Sequence, residues 1–451
     1  MDMKIESETI ARIWAWWAKK GRSEAPRRYL GASVAGHECD RYLWLHFRGL
    51  FRERLDGRMY RLFERGRREE EQFIQELRGI GCEVWDRQPD GTQFAVSALG
   101  GHFGGHLDAV VRGLPDAPKT PHVAEFKTHN DQSFKKLARA GVRDAKPMHF
   151  CQMQIYMGMM KLDRALYLAV NKDDDDLYAE RVHYEADFFK AAMLRAKRII
   201  TEPSAERCAQ RRDDWRCKSC PAKAVCWHET GTVFSRQATY HDCRSCCHAS
   251  ADTTCEGARW TCRLGKTCTI GAACNCADHL VLPILMDAEI DTATERSVTY
   301  KVGENLVTNG LANGQFTSEE LAHIGREPLE HGAIQQIKET CEGAKVANQT
   351  KIKAELEKYY SEFPPEFEGG LGELQRFMAG KDWQMTRRET DENGVEWFAF
   401  DDVGAYLMVD RKANKAIIQS DVPFLFHLAK KQKGAVKMNS SDMIQGGGYG
   451  K

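Results

Sequence analysis

Three residues in this chain have the types and spacing to do chemistry on a phosphate ester. Asp108 stands in Gly-Gly-His-Leu-Asp-Ala-Val-Val (104–111), and Glu125 and Lys127 stand in Val-Ala-Glu-Phe-Lys-Thr (123–128). Each stretch is apolar and bounded by Gly or Pro, so each predicts a strand. The connection Gly113 to Pro121 carries three prolines and predicts a hairpin loop. Side chains two apart on a strand share a face, so Glu125 and Lys127 point the same way, with Asp108 opposite Glu125 on the neighbouring strand. Carboxylate oxygens suit Mg²⁺ or Mn²⁺. A lysine beside them can orient a water or share its proton, and the combination is equipment for metal-assisted phosphodiester hydrolysis. Solvated strand faces also carry Glu-x-Lys pairs, so the trio needs support from the rest of the chain.

The elements that must position the trio are legible around it. Residues 1–85 predict mainly helices, with Arg58 to Gly79 as a charged amphipathic stretch. Residues 92–128 predict three short strands and 131–161 helix, with Pro147 near the start of the helix that carries Gln152 and Tyr156. Strands are expected at 164–171 and 177–184, separated by a turn at Asp173 to Asp176, and a helix at 185–201. This order implies an α/β (α+β) core with a mixed central sheet flanked by helices.

The full chain of 451 residues has room for two or three domains. The expected boundaries are a core domain at 1–230, a Cys/His-rich segment at 231–281, a C-terminal α+β region at 282–438, and a Gly- and Ser-rich disordered tail at 439–451. In the C-terminal region, Val298 to Asn309 predicts a hairpin and Thr317 with Glu320 a helix-opening capping box. Gln335 to Tyr360 predicts a charged helix. Trp383, Trp397, Phe398 and Phe400 are core residues or base-stacking candidates. No apolar run approaches the ~20 residues of a membrane helix, and the amphipathic, charged N-terminus is unlike a signal peptide. A soluble cytoplasmic protein is expected.

Net charge is zero, with 65 basic and 65 acidic residues, so bulk charge argues nothing for nucleic acid. Locally, Arg41 to Arg68 holds nine arginines against three acids. This stripe is either a set of phosphate contacts or a solvated helix face. Twelve of the 16 cysteines lie between Cys208 and Cys276, a clustering that points to metal binding in a reducing compartment. Cys243, Cys246, Cys262 and Cys276 or His279 form the best single zinc set, with His248, Cys247, Cys255, Cys268 and Cys274 as spares. No His-Glu-x-x-His signature marks a catalytic zinc.

Together these motifs resemble the PD-(D/E)xK nuclease superfamily, in its RecB/AddB-like iron–sulfur branch and closest to phage-type exonucleases. Four features carry the resemblance over roughly residues 28–230. Asp108, Glu125 and Lys127 match the core motif. Gln152 and Tyr156 match a Gln-x-x-x-Tyr pair that follows the catalytic lysine, here by 25 residues. Gly66-Arg-Arg-Glu-Glu70 matches the first motif, with Glu69 and Glu71 as neighbouring alternatives to Glu70. Cys39 with Cys217, Cys220 and Cys226 matches the cluster cysteines. The resemblance implies a restriction-endonuclease-like core. Asp108, Glu125 and Glu70 would hold Mg²⁺ or Mn²⁺, Lys127 would act on the attacking water, and Gln152 and Tyr156 would hold substrate and brace the site. It also implies a [4Fe–4S] cluster, with Zn²⁺ as the alternative. The implied activity is a DNA exonuclease of phage recombination or DNA processing. DNA is the expected partner, with a recombination or single-strand-binding protein as a second. The rival expectations are a non-catalytic DNA-binding or annealing protein on the same fold, and a zinc-stapled recruitment scaffold. His106, two residues before Asp108, either lines the site or is a surface histidine.

Overall fold

The order of elements expected up to residue 201 is found, with one break, in the computed structural model. It describes residues 7–22, 27–51, 53, 55–228, 243–266, 276, 278–312, 314–323, 329–330, 367–378, 387–390, 394–400 and 405–420. The chain divides into two compact units, Met1–Ala222 with Ser250–Lys266, and Lys223–Ala249 with Thr267–Lys451. No helix among the described residues is long and apolar enough to cross a membrane.

The first unit opens with α1 (Glu8–Arg22), β1 (Leu30–Gly31), α2 (Ala32–Ala35), α3 (Asp40–Phe47) and α4 (Gly57–Gly79). Asp56 starts α4 by accepting from the Met59 N–H at 2.8 Å. There follow β2 (Glu83–Trp85), β3 (Ala95–Ala98), β4 (Phe103–His106), β5 (Ala109–Arg112), β6 (His122–His129), α5 (Asp131–Ala145), α6 (Pro147–Met160), β7 (Arg164–Asn171), β8 (Leu177–His183) and α7 (Ala186–Thr201). The main sheet runs β2-β5-β6-β7-β8 and is mixed: β6 and β7 are parallel, and the other pairs antiparallel. Parallel neighbours need a crossover, and α5 with α6 supplies it. β6 is buried from His122 to Phe126, as a central strand must be. α4 lays Phe73 and Leu77 on the sheet, with the Phe73 and Phe126 rings 5.4 Å apart.

Residues 104–111 are not one strand. The stretch breaks at Leu107 and Asp108, so β4 joins a small sheet of order β1-β4-β3 while β5 joins the main one. At the break the Asp108 carboxylate accepts from the Phe126 N–H at 2.8 Å. A side chain therefore closes the hydrogen bond that a continuous strand would have left to the backbone.

α3 is fastened to the end of the core by polar contacts. Arg195 of α7 donates to Asp40 Oδ1 at 2.7 Å, to the Ala35 carbonyl at 3.0 Å and to the His37 carbonyl at 2.6 Å. Arg198 takes the other oxygen of Asp40 at 2.6 Å. Trp44 Nε1 donates to the Glu202 carbonyl at 3.0 Å, and Arg41 to that of Ala205. The Ser250–Lys266 piece carries a short hairpin, β9 (Ala249–Ala251) and β10 (Trp260–Cys262), and stacks Trp260 on Phe47 with centroids 5.6 Å apart.

The second unit contains α8 (Lys223–Cys226) and β11 (Glu289–Ala293), followed by the expected hairpin as β12 (Val298–Val302) and β13 (Asn305–Asn309). Thr317 and Glu320 form the expected capping box ahead of α9 (Ser318–His323), with reciprocal bonds of 2.7 and 3.2 Å. An antiparallel sheet of order β14-β18-β17-β16-β15 follows: β14 (Phe367–Gly369), β15 (Arg387–Thr390), β16 (Glu396–Phe400), β17 (Ala405–Asp410) and β18 (Lys415–Ser420), with α10 (Leu371–Met378) after β14. Phe398 is buried in its core with Leu407 and Ile418, so its ring packs the fold and does not stack bases. Trp383, the expected helix Gln335 to Tyr360 and the tail from Asn439 lie outside the described residues, as do the side chains of Trp397 and Phe400.

Arg195→Ala removes a side chain that ties Asp40 and two carbonyls to α7 at once. It should destabilise the first unit by about 2–4 kcal/mol. Urea unfolding followed by tryptophan fluorescence measures this, and a loss under about 0.5 kcal/mol contradicts the role given to the clamp.

Candidate active site

β6 carries Glu125 and Lys127 on one face, and the register of β5 with β6 sets Asp108 against Glu125. Lys127 Nζ pairs with Glu125 Oε1 and lies 3.9 Å from Asp108 Oδ2. It also donates to the Phe126 carbonyl at 2.9 Å. Glu125 is wholly buried (0 % exposed), and its Oε2 has no hydrogen-bond partner. The Asp108 and Lys127 side chains are 15 % and 25 % exposed, so the cluster opens to solvent through them.

Glu70 joins this cluster from α4. Burial, and then Asp108, pushes its carboxyl up to about 7. Its neighbour Glu69 faces Arg65 at 3.8 Å instead. Of the three acids that the sequence offers here, Glu70 is the one that interacts with Asp108, Lys127 and Glu125. Glu125 is driven up to about 8, chiefly by burial, with Lys127 opposing and Asp108 adding to the shift. Lys127 is held above its ordinary value: burial opposes its charge, but Glu125 and Asp108 outweigh that. Three carboxylates around one ammonium in a dry site cannot all stay charged.

Gln152 and Tyr156 stand behind the cluster and are both buried. Tyr156 Oη donates to the His106 carbonyl at 2.8 Å and lies 3.4 Å from Gln152 Nε2. The tyrosine thereby holds the chain just ahead of Asp108. Its approach requires glycine at 105, where a Cβ would stand 2.5 Å from Tyr156 Oη. The geometry shows bracing through the tyrosine, which ties the helix to the strand end before Asp108. The His106 side chain is exposed, and its Nδ1 lies 3.5 Å from Tyr29 Oη.

The arginine stripe is not one surface. Arg41 binds the Ala205 carbonyl, and Arg48 is buried under the Trp44 and Trp260 rings. Arg61, Arg65 and Arg68 line a surface cavity of about 240 Å³ on α4, the helix that carries Glu70. Sequence reading missed Tyr167, which β7 places opposite Glu125 in parallel register. It also missed His129, whose signal was its position two residues after Lys127.

Among the described residues, no three His, Cys, Asp or Glu side chains gather as an ion-binding group. For Mg²⁺ or Mn²⁺ the donor set still fits, because Mg²⁺ uses one or two carboxylates together with water and substrate oxygens. The partnerless Glu125 Oε2 is such a donor. The cysteines fit less well. The Cys208 thiol, absent from the expected set, hydrogen-bonds to that of Cys39; burial, then Cys39, pushes it up to about 12, with Cys217 adding. Cys220 acts on Tyr42 nearby, and Cys226 belongs to the second unit. The expected zinc set is divided as well: Cys262 belongs to the first unit, and Cys243, Cys246, Cys276 and His279 to the second. His279 Nε2 instead lies 3.0 Å from Ser245 Oγ. Cys268 and Cys274 lie outside the described residues.

With this geometry in hand, comparison with known proteins bears on the same half of the chain. Residues 9–227 match the sequence profile of the PD-(D/E)XK nuclease superfamily. Similar solved structures include the protein SSO0001, at 14% identity over 49% of this chain and 98% of that one, with a TM-score of 0.30. The alkaline exonuclease LHK-Exo from Laribacter hongkongensis, alone and in complex with dAMP, is also similar: 15% identity over 41% of this chain and 89% of that one, with a TM-score of 0.27. No curated protein matches the chain.

The raised carboxyls set a pH dependence. Unfolded carboxyls lose their protons near 4.5, whereas folded Glu70 and Glu125 keep theirs towards 7 and 8. Without metal, these two groups therefore favour the fold at low pH and cost stability as pH rises from 4.5 through 8. A divalent cation displaces the protons, so the rise in melting temperature on adding Mg²⁺ should grow between about pH 6 and 8.5. The buried histidines titrate in both conditions and cancel in the difference. Paired melts in EDTA and Mg²⁺ test this, and a Mg²⁺ gain that is flat with pH, or unchanged in Glu125→Gln, contradicts it.

Proposed function

We propose that the protein, whose residues 9–227 match the PD-(D/E)XK nuclease superfamily, is a Mg²⁺- or Mn²⁺-dependent deoxyribonuclease that degrades DNA from its ends. The observation that carries this reading is the convergence of Glu70, Asp108, Glu125 and Lys127 on one partly open, otherwise dry cluster. Asp108, Glu125 and Glu70 would hold the cation, which would supply Lewis-acid polarisation of the scissile phosphate. Lys127 stays an ammonium at neutral pH. It can donate hydrogen bonds to a water or a phosphate oxygen and offset charge developing there, but it cannot accept a proton. Gln152 and Tyr156 hold Asp108 in place through the His106 carbonyl.

The exonucleolytic mode and a role in phage recombination or DNA processing follow the phage-type members that the motifs resemble. A recombination or single-strand-binding protein is the partner this role implies. An iron–sulfur cluster, or zinc in its place, is a lesser part of the proposal. Cys39, Cys217, Cys220 and Cys226 would hold it, with the Cys208 thiol against that of Cys39. Protein purified without oxygen should show sulfur-to-iron charge-transfer absorption that Cys39→Ala removes; a colourless, iron-free protein excludes the cluster.

Lys127→Ala should lower hydrolysis of linear duplex DNA by at least about a thousandfold, while binding of the same DNA weakens less than about tenfold. End-labelled linear, circular and single-stranded DNA, each with Mg²⁺ or Mn²⁺, report the reaction. Wild-type activity in Lys127→Ala refutes the site, and cutting of closed circles refutes the requirement for an end.

A further inference from the structure

The row of polar side chains on β6 continues past Lys127. His129 lies two residues on and shares its face, and a hydrogen-bonded chain runs through it. Ser133 Oγ is 3.2 Å from His129 Nδ1, His129 Nε2 is 2.9 Å from Tyr167 Oη, and Tyr167 Oη is 2.8 Å from His149 Nδ1. Lys146 Nζ donates to Ser133 Oγ. An ammonium has only protons to give, so Ser133 Oγ accepts from Lys146. Burial, and then nearby lysines, pushes His129 down to about 4 and His149 to about 3, so both rings are neutral near pH 7, each with one donor and one acceptor nitrogen for the row.

Lys146 is thus fixed by a hydroxyl and not by a carboxylate. With Lys136 and Arg139 it lines an open cavity of about 670 Å³ on α5. Lys135 spends its charge on Asp131 at 2.8 Å. Lys136, Arg139 and Lys146 have no ion-pair partner among the described residues, and Lys146 is held below its ordinary value by burial and by Lys136. Three cations therefore face one space whose lining carboxylate, Asp131, is already paired with Lys135.

We propose that this cavity holds phosphate groups of the nucleic-acid strand that crosses the carboxylate cluster, with Lys136, Arg139 and Lys146 as the contacts. The reading rests on the cluster being a nuclease site. Arginine and lysine are the side chains that neutralise phosphates, and such contacts set the register of a strand without reading its sequence. The spacing suits that role. Two strand residues take the row from Lys127 to His129, about 7 Å at ~3.3 Å each, and Ser133 and Lys146 lie one hydrogen bond further each. These steps keep Lys146 within a few nucleotides of the carboxylates, at ~3.4 Å of helix axis per nucleotide. The relay holds Ser133 and Lys146 in fixed positions relative to the catalytic strand, so the phosphate site and the carboxylates keep one spacing.

The test uses full-length protein in EDTA, so that no strand is cut. Fluorescence anisotropy measures binding by wild type and by Lys136→Glu with Arg139→Glu on three probes: a linear duplex with 5′-phosphates, the same duplex with 5′-hydroxyls, and a closed circle. Binding should weaken about tenfold or more, and the logarithmic salt slope should become shallower by about two. Equal weakening on all three probes identifies internal phosphates, and weakening confined to the 5′-phosphorylated duplex identifies a terminal one. Unchanged affinity and salt slope on every probe overturn the proposal. Both side chains are exposed and make no hydrogen bond among the described residues. Should the charge reversal disturb folding, Lys136→Ala with Arg139→Ala tests the same contacts, with an expected weakening of about three- to tenfold. A wild type that cuts no DNA, but whose variants lose binding, refutes only the nuclease reading. Active cutting with unchanged variant binding refutes only the phosphate site.

Discussion

One carboxylate without exposure governs this structure. Glu125 is sealed inside the sheet beside the Lys127 ammonium, and its second oxygen has no partner. A charge in that position is costly unless it is paired or coordinates a cation. Everything around it manages the cost. Lys127 supplies positive charge, Asp108 turns its own carboxylate to a backbone amide, and Glu70 shares the shortage of counter-charge. A site that must exchange protons for a divalent cation is the natural outcome of so many acids around one base.

The surrounding fold keeps that cluster in register. β6 lies between an antiparallel neighbour, β5, and a parallel one, β7, so Glu125 faces Asp108 on one side and Tyr167 on the other. The crossover through α5 and α6 brings Tyr156 back onto the His106 carbonyl, immediately before the break that frees Asp108 from regular strand geometry. At the far edge, Asp40, Arg195 and Arg198 bind α3 to α7 with protein contacts alone. The N-terminal helices are thus joined to the end of the core by charge-assisted hydrogen bonds. That clamp also places Cys39 where Cys208 meets it.

Reading the residues in order recovered much of this and missed the parts that depend on distance in space. The period-two pattern of β6 and the helical spacing of Gln152 and Tyr156 are local, and both survived folding. Residues 104–111 read as one strand because apolar runs give no sign of a change of sheet. Arg41 and Arg48 read as surface charge because local pattern cannot show that a carbonyl or an indole ring will cover them. Cys208 was passed over for want of regular spacing, although thiols meet in space without any fixed spacing in the chain. The second cysteine segment spans both units: Cys262 falls in the first, and Cys243, Cys246, Cys276 and His279 in the second.

The sequence by itself determined which side chains could do chemistry, and which of them share a strand or helix face, because those properties follow from residue type and a local period. The tertiary structure decided which of the adjacent acids at 69–71 joins the cluster, how dry Glu125 becomes, and that Lys127 keeps its proton. Those are sums over neighbours brought from α4, β5 and β7, and burial and charge act through space regardless of order along the chain.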